Sequence, residues 1–234
     1  MTTSEAKRSY LSSATTVMAG FVLSRVLGLV RDSLLGSTFG AGSELDAYTA
    51  AARVTETLYY LVAGGALASA FIPTFTAYLA RDERKTAWQV ASAVINLVLV
   101  VTVVASLIAA WGAPWLVANL LAPDYRPELQ ALTVSLLRWM LASTVIVGVS
   151  GLLMGILNAN DHFLLPALAP SLYNLGILSG VVLLARHWGI HGVAAGSVIG
   201  SALHLVVQLF ALRGIGGTYT PTLGLHLEGV RNVG

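Results

Sequence analysis

Residues 21–32 read FVLSRVLGLVRD, an apolar run that carries Arg25 near its middle and ends on Arg31 and Asp32. Apolar residues continue on both sides and fill Ser13–Leu35. A helix of about 20 such residues crosses a bilayer. An arginine in the middle of a membrane-spanning helix costs about 3 kcal/mol on insertion scales, so it is expected to face water or a partner rather than lipid.

The whole chain has the composition of a membrane protein. Of its 234 residues, 56% are hydrophobic and only 10% are charged, whereas an average soluble domain has about 25% charged residues. This composition excludes an ordinary soluble enzyme, a disordered chain and a nucleic-acid binder with a basic face. The chain has no cysteine, which also excludes disulfides, cysteine metal sites and a thiol nucleophile. No cofactor, metal or nucleic-acid partner is expected.

The apolar windows predict an all-α integral membrane protein with six transmembrane helices. They are Ser13–Leu35, Leu58–Leu79, Ala87–Trp111, Leu129–Ile156, Phe163–Leu184 and Ile190–Leu212. Membrane strands would instead alternate in polarity over about ten residues. The run Trp115–Leu121 is too short to cross, so we expect it either to lie in the membrane interface or to extend the third helix.

Basic residues predict the side of the membrane on which each loop lies. With a cytoplasmic N-terminus, seven of the 13 basic residues lie inside and two outside, in loops or tails. The inside residues are Lys7, Arg8, Arg81, Arg84, Lys85, Arg213 and Arg231, and the outside residues are Arg126 and Arg186. Both termini are therefore expected in the cytoplasm.

This division predicts three parts of the chain: a cytoplasmic N-terminus over 1–12, a six-helix transmembrane lobe over 13–212, and a tail or linker over 213–234. The first apolar run is expected to be kept as a span rather than cleaved as a signal peptide. The polar pair at 24–25 interrupts it, and no A-x-A cleavage site follows.

The charges of the first span share one side of the predicted helix. Arg25 and Asp32 are seven residues apart, which places them on one face and about 10 Å apart along the axis. Direct pairing is not expected at that distance, so both side chains should face the same interior space. Gly28 lies between them and leaves the backbone open there.

More charges lie in the approach to the second span. Asp46, Arg53 and Glu56 are expected on one helix face, and Arg53 and Glu56 can pair at i,i+3. With Arg138 in the fourth span, spans one, two and four would line a cavity with an excess of arginine. Such a cavity suits an anionic guest, because guanidinium binds phosphate in a bidentate manner.

Structural explanations stay open for these charges. Arg31, Asp32 and Asp46 could lie at span ends and reach the lipid headgroups. Arg138 could form a structural ion pair or reach the headgroups in the same way, and the pair at 53 and 56 could be purely structural. Arg25 is too far from either end of its span for that explanation.

Glycines and prolines mark helix packing and possible hinges. Glycines spaced four apart let helix backbones approach closely, and they are Gly151/Gly155, Gly176/Gly180 and Gly192/Gly196/Gly200. Pro73, Pro166 and Pro170 kink helices, either as hinges or as static bends. His204, alone in the sixth span, is expected to be a packed neutral histidine.

Residues 24–32, SRVLGLVRD, resemble the first-helix signature of the MviN/MurJ lipid II flippases, which belong to the multidrug/oligosaccharidyl-lipid/polysaccharide exporter superfamily. Further pieces agree in order along nearly the whole chain. They are FGAG at 39–42, DAY at 46–48, AFIPTF at 70–75, GILNANDHF at 155–163, and PALAP at 166–170 followed by Asn174. Each piece alone is common, and the ordered set carries the resemblance.

The resemblance implies a transporter rather than an enzyme, one that moves undecaprenyl-pyrophosphate-linked peptidoglycan precursor across the bacterial cytoplasmic membrane. Such proteins work by alternating access between two lobes around a cationic cavity, and they serve cell wall biogenesis and cell shape. Family members have about twelve to fourteen spans, so this chain resembles an N-terminal lobe. A second lobe of six to eight helices, from the same chain or another copy, is the expected partner besides membrane lipids.

The resemblance also implies site residues. Ser24, Arg25 and Arg31 match substrate-binding positions, and Asp32 and Asp46 match positions that hold the arginines or take part in gating. The helix hinges would be at Gly28 and the three prolines.

This sequence departs from the family in its second helix. Tyr59 and Tyr60 stand where many relatives carry basic residues, and Gly64 stands where they carry an acid. Arg53, as a further substrate-binding residue, and Glu56, as a further gating or ion-pair residue, could supply the replacement charge.

Two other functions stay open. The chain could belong to an exporter of another polysaccharide-lipid or of drug-like cations in the same superfamily, although a cation exporter should have an acidic cavity. It could also be a non-transporting six-helix membrane fragment. No coupling ion is identified.

Overall fold

The computed structural model of the protein describes residues 3–62, 66–225 and 227–231. Gly64 and the outermost residues of both predicted tails lie outside the described residues. Every element within these ranges is helical. The helices are α1 (Thr3–Phe39), α2 (Ser43–Val62), α3 (Ala66–Ala80), α4 (Arg84–Leu116), α5 (Pro127–Ala159), α6 (Leu164–Ser179), α7 (Ala185–Trp188), α8 (Ile190–Gly214) and α9 (Glu228–Arg231).

Four helical stretches of the described residues are long and apolar enough to cross a membrane: Arg84–Leu121, Pro127–Ala159, Leu164–Trp188 and Ile190–Gly214. They contain the predicted spans three, four and six entirely, and span five except its first residue. The short run Trp115–Leu121 extends the third predicted helix, because α4 continues to Leu116 and a π-helical turn follows over Val117–Leu121. A second π-helical turn, Gly180–Leu184, continues α6.

The number of six spans is not confirmed, because four stretches of the described residues meet the length and hydropathy of a membrane span. The residues of the predicted second span lie in α2, which begins at Ser43, and in α3, which begins at Ala66, and residues 63–65 between these helices are outside the described residues. The first half of α2 is rich in polar residues and therefore fell outside an apolar window. It is helical nonetheless because part of its surface faces a polar groove rather than lipid. The predicted first span lies within α1.

The bundle is organised around α5, α6 and α8. Helix α5 packs against α2, α4 and α8, and α6 packs against α8 on one side and α1 on the other. A Cβ built on Gly196 would lie 2.8 Å from the Cα of Gly180, so the two backbones touch where α8 crosses the end of α6. The glycine spacing thus serves packing within the fold.

Two apolar cores stabilise opposite ends of the bundle. One core joins the end of α4 to the start of α5 and α8 and includes Leu136, Leu137 and Val193. The other joins α3 to the start of α4 and the end of α5 and includes Phe71 and Phe75. A polar groove runs between α1, α2, α5, α6 and α8.

The segment after α8 folds back along α4. The Asn96 amide donates to the Thr222 carbonyl at 2.8 Å and accepts from the Tyr219 hydroxyl at 2.6 Å. The Thr220 backbone N–H donates to Ser92 Oγ at 3.1 Å. The predicted tail or linker therefore begins as an ordered strap on the side of α4.

Candidate functional site

Three adjacent cavities form the polar groove. The arginine cavity, about 430 Å³, lies between α1 and α6; the middle cavity, about 340 Å³, lies between α1, α2, α5 and α6; and the tyrosine cavity, about 370 Å³, reaches α8. Arg31 and Asp32 line both the arginine and the middle cavities, and Glu56 and Tyr173 line both the middle and the tyrosine cavities. The shared walls make the three cavities one groove.

One face of α1 forms the wall of the arginine cavity. Arg25, Gly28 and Asp32 all line it, as their spacing along a helix predicts. The Arg25 side chain is exposed and forms no ion pair with any residue that the structure describes. Its guanidinium therefore keeps its five N–H donors available to a guest in the cavity.

Arg31 is held by two neighbours. Its Nε and one terminal nitrogen each lie 2.9 Å from Asp32 Oδ1, and its other terminal nitrogen donates to Asn174 Oδ1 at 3.0 Å. The Asn174 amide nitrogen donates in turn to the Ser24 carbonyl at 3.1 Å and contacts Ser24 Oγ at 3.4 Å. Asn174 of α6 thus ties the guanidinium to the backbone of α1, which orients the arginine along the groove.

The middle cavity combines aromatic and charged side chains. Tyr48 and Tyr173 line it together with Arg31, Asp32 and Glu56. The buried Tyr48 hydroxyl lies 3.3 Å from Ser197 Oγ of α8, which connects α2 to the far side of the bundle.

Three predicted site residues lie away from these cavities. Asp46 and Arg53 are exposed on α2 and line none of the three, and Arg53 forms no ion pair with Glu56 among the described residues. Ten residues at 100° each leave a rotation of about 80°, so the face of Glu56 differs from that of Asp46. The Arg138 Nε donates to the Ala110 carbonyl of α4 at 3.1 Å, which anchors this arginine between α4 and α5 instead.

The predicted hinge residues have different surroundings. Gly28 and Pro170 line the groove, and Pro170 is inside α6. Pro166 is buried in the first turn of α6, and Pro73 is exposed inside α3. Their action as hinges stays a prediction.

The sequence reasoning missed the contribution of α6 to the site. The sequence analysis places Tyr173 only in an apolar span and Asn174 only among the motifs of the resemblance, yet Asn174 is one of the two residues that hold Arg31. The available signal was an amide side chain in the middle of that span, since polar residues inside membrane helices face a cavity or partner. No group of three or more His, Asp or Glu residues in the described ranges is arranged to hold a metal ion.

Comparison with known proteins assigns the family. The family described as "Lipid II flippase MurJ" matches residues 35–234. The chain is 30% identical over 227 residues to the lipid II flippase MurJ of Burkholderia cenocepacia. This alignment covers 94% of the present chain and 43% of the Burkholderia protein. The chain is 34% identical over 214 residues to a probable lipid II flippase MurJ of Bdellovibrio bacteriovorus, covering 89% and 41% respectively.

Solved structures agree with the fold. The chain superimposes on a lipid II flippase MurJ in an inward closed conformation with a TM-score of 0.74 and 28% identity, covering 93% of this chain and 45% of that one. A MOP superfamily transporter from Pyrococcus furiosus gives a TM-score of 0.72 at 15% identity, which shows the fold alone. The chain spans less than half the length of the curated relatives it matches. Because the family matches residues 35–234 and the Burkholderia relative aligns with 94% of the chain, this protein belongs to the lipid II flippase MurJ family.

Proposed function

We propose that this chain acts as the N-terminal lobe of a lipid II flippase, which moves undecaprenyl-pyrophosphate-linked peptidoglycan precursor across the bacterial cytoplasmic membrane by alternating access. The observation that carries the proposal is Arg25, an exposed guanidinium without an ion-pair partner among the described residues, in the same cavity as Arg31. Two arginines on one wall suit a pyrophosphate, because each guanidinium offers two parallel N–H groups to phosphate oxygens.

The neighbouring residues have supporting roles in this proposal. Asp32 and Asn174 hold Arg31, and Ser24 connects Asn174 to the α1 backbone. Asp46, Arg53 and the hinge prolines act in this proposal when the two lobes change their arrangement.

A second lobe is part of the proposal. Helix α1 exposes large apolar side chains outside the three cavities, with Met18, Val22 and Val26 between 50% and 67% exposed. Lipid or another lobe must cover such a surface. Six to eight further helices, from the same chain or another copy, would complete the two-lobe cavity and provide the second side for alternating access.

Binding of lipid II to the purified chain in nanodiscs tests the proposal. We expect Arg25→Ala to weaken binding by about 10-fold or more, because hydrogen bonds to a charged group contribute about 1.5–3 kcal/mol. Arg25→Lys should recover only part of the affinity, since lysine keeps the charge but not the bidentate geometry. Arg186→Ala, in the short helix α7 and in none of the three cavities, is the matched control and should bind as the wild type does.

Two outcomes would contradict the proposal. An unchanged affinity in Arg25→Ala would remove Arg25 from substrate binding. Displacement of bound lipid II by a cationic dye would instead favour a cation exporter of the same superfamily.

A further inference from the structure

The tyrosine cavity differs chemically from the arginine cavity at the other end of the groove. The described residues that line it include the hydroxyl side chains of Thr55, Ser143 and Thr144, but neither lysine nor arginine. Glu56 is their single acidic member. A guest portion bound here is therefore recognised by neutral polar groups and aromatic rings rather than by positive charge.

Two tyrosines of α2 provide an aromatic wall. The Tyr59 hydroxyl lies against α5 at Gly151, where an added Cβ would be 3.3 Å from the hydroxyl oxygen, so the glycine makes room for the ring. The Tyr60 ring packs edge-on against Tyr59, with centroids 5.6 Å apart and planes at 61°. Tyr60 is itself 67% exposed, so its ring remains available for stacking.

A buried hydrogen-bond network indicates which nitrogen of the His204 imidazole carries the proton. The Gln208 amide nitrogen lies 3.0 Å from Ser150 Oγ and 3.1 Å from His204 Nδ1, and Ser150 Oγ lies 2.6 Å from the same Nδ1. In the orientation that the Gln208 amide has here, its nitrogen donates, so Nδ1 accepts and the imidazole proton lies on Nε2. His204 lines the tyrosine cavity and can offer this N–H to a guest there.

We propose that the tyrosine cavity is a carbohydrate subsite. A pyranose ring has an apolar C–H face that stacks on an aromatic ring, and a rim of hydroxyls that need both donors and acceptors. Tyr60 supplies the ring, His204 Nε2–H a donor and the Glu56 carboxylate an acceptor. This inference rests on the function proposed above, in which the pyrophosphate binds at the arginine cavity. The middle cavity connects these two ends of the groove, because it shares lining residues with both.

Paired binding measurements test the subsite. The purified chain in nanodiscs is titrated with undecaprenyl pyrophosphate, which has no sugar, and with lipid II, which carries the disaccharide. Tyr60→Ala should weaken lipid II binding roughly fivefold and leave undecaprenyl pyrophosphate within about twofold of the wild type. Tyr60→Phe keeps the ring and should bind both lipids normally. Trp111→Ala removes an exposed ring of α4 outside the groove and should change neither affinity.

The outcomes separate this inference from the proposed function. If the wild-type chain binds neither lipid, both fail. If it binds both lipids and Tyr60→Ala weakens them equally, or weakens neither, the carbohydrate subsite alone is overturned. Retained binding of undecaprenyl pyrophosphate in Tyr60→Ala also establishes that the variant is folded.

Discussion

At the scale of single residues, the two arginines of α1 have unequal surroundings although they are six positions apart on one helix. Arg31 is oriented by Asp32 and Asn174, whereas Arg25 has no ion-pair partner among the described residues. A held guanidinium can position a guest with little loss of side-chain entropy, and an unpaired one supplies new hydrogen bonds on binding. The sequence predicted that Arg25 faces an interior space, and the resemblance implied that Asp32 holds the arginines or takes part in gating, but neither indicated that Asn174 contacts Arg31.

Asn174 offers a test of this arrangement through stability. Asn174→Ala removes the hydrogen bonds to Arg31 and to Ser24 and should lower the free energy of unfolding by about 1–3 kcal/mol, because buried polar groups lose their partners. Asn174→Asp keeps an acceptor for Arg31 and should lose less. Thermal unfolding in detergent measures both.

Asn119→Ala is the control for this pair of variants. Its amide is exposed and bonds only to the Trp115 carbonyl of its own helical stretch, so its removal should change stability by no more than about 0.5 kcal/mol. Equal losses in the variants at 119 and 174 would show that Asn174 has no special connecting role.

At the scale of helices, α6 and its π-helical continuation pack against α8 with backbone directly on backbone. Gly176, Gly180, Gly196 and Gly200 meet there, and added side chains would collide with backbone atoms. This contact carries α6, and with it Asn174 and Tyr173, to its place beside α1. Glycine spacing in the sequence predicted close packing, but not which pair of helices it joins.

Gly196→Ala should therefore be strongly destabilising. Its Cβ would meet the Gly180 Cα at 2.8 Å, and because backbone cannot give way as a flexible side chain does, we expect a loss of about 2 kcal/mol or more. Gly112→Ala in α4 is the matched change, since nothing lies within 4 Å of its added Cβ. It should be neutral or stabilising by about 0.5–1 kcal/mol, because alanine favours a helix over glycine. Chemical or thermal unfolding measures the stability of both variants. Equal stabilities of Gly196→Ala and Gly112→Ala would contradict the prediction.

At the scale of the whole molecule, the distribution of basic residues predicts that both termini are cytoplasmic. The chain has no cysteine, so single introduced cysteines report cleanly on each loop. Glu83 and Asp124 are exposed and lie in loops at opposite ends of α4. The two positions therefore distinguish the two possible orientations.

A membrane-impermeant maleimide applied to intact cells should label Asp124→Cys, whereas Glu83→Cys should react only after the cells are permeabilised. The positive-inside distribution of lysine and arginine is the physical reason. The cysteine-free parent provides the background. Labelling in the reverse order would show that the orientation is inverted.

The sequence by itself determined the class of the molecule and much of its α1 wall. The scarcity of charged residues requires a membrane environment. In lipid the backbone N–H and C=O groups of each apolar run must bond to one another, which requires a helix. Helical periodicity alone then places Arg25, Gly28 and Asp32 on one face. The resemblance in ordered motifs predicted the family.

Only the tertiary structure decided which helices build the groove. The contacts of Arg31 with Asn174 and of Arg138 with Ala110 join different helices, so no local period specifies them. The entry of α6 into the site and the separation of an arginine end from a tyrosine end both depend on how helices cross. Those crossings are set by backbone approach at glycines and by side-chain packing between distant segments, which a linear pattern does not encode.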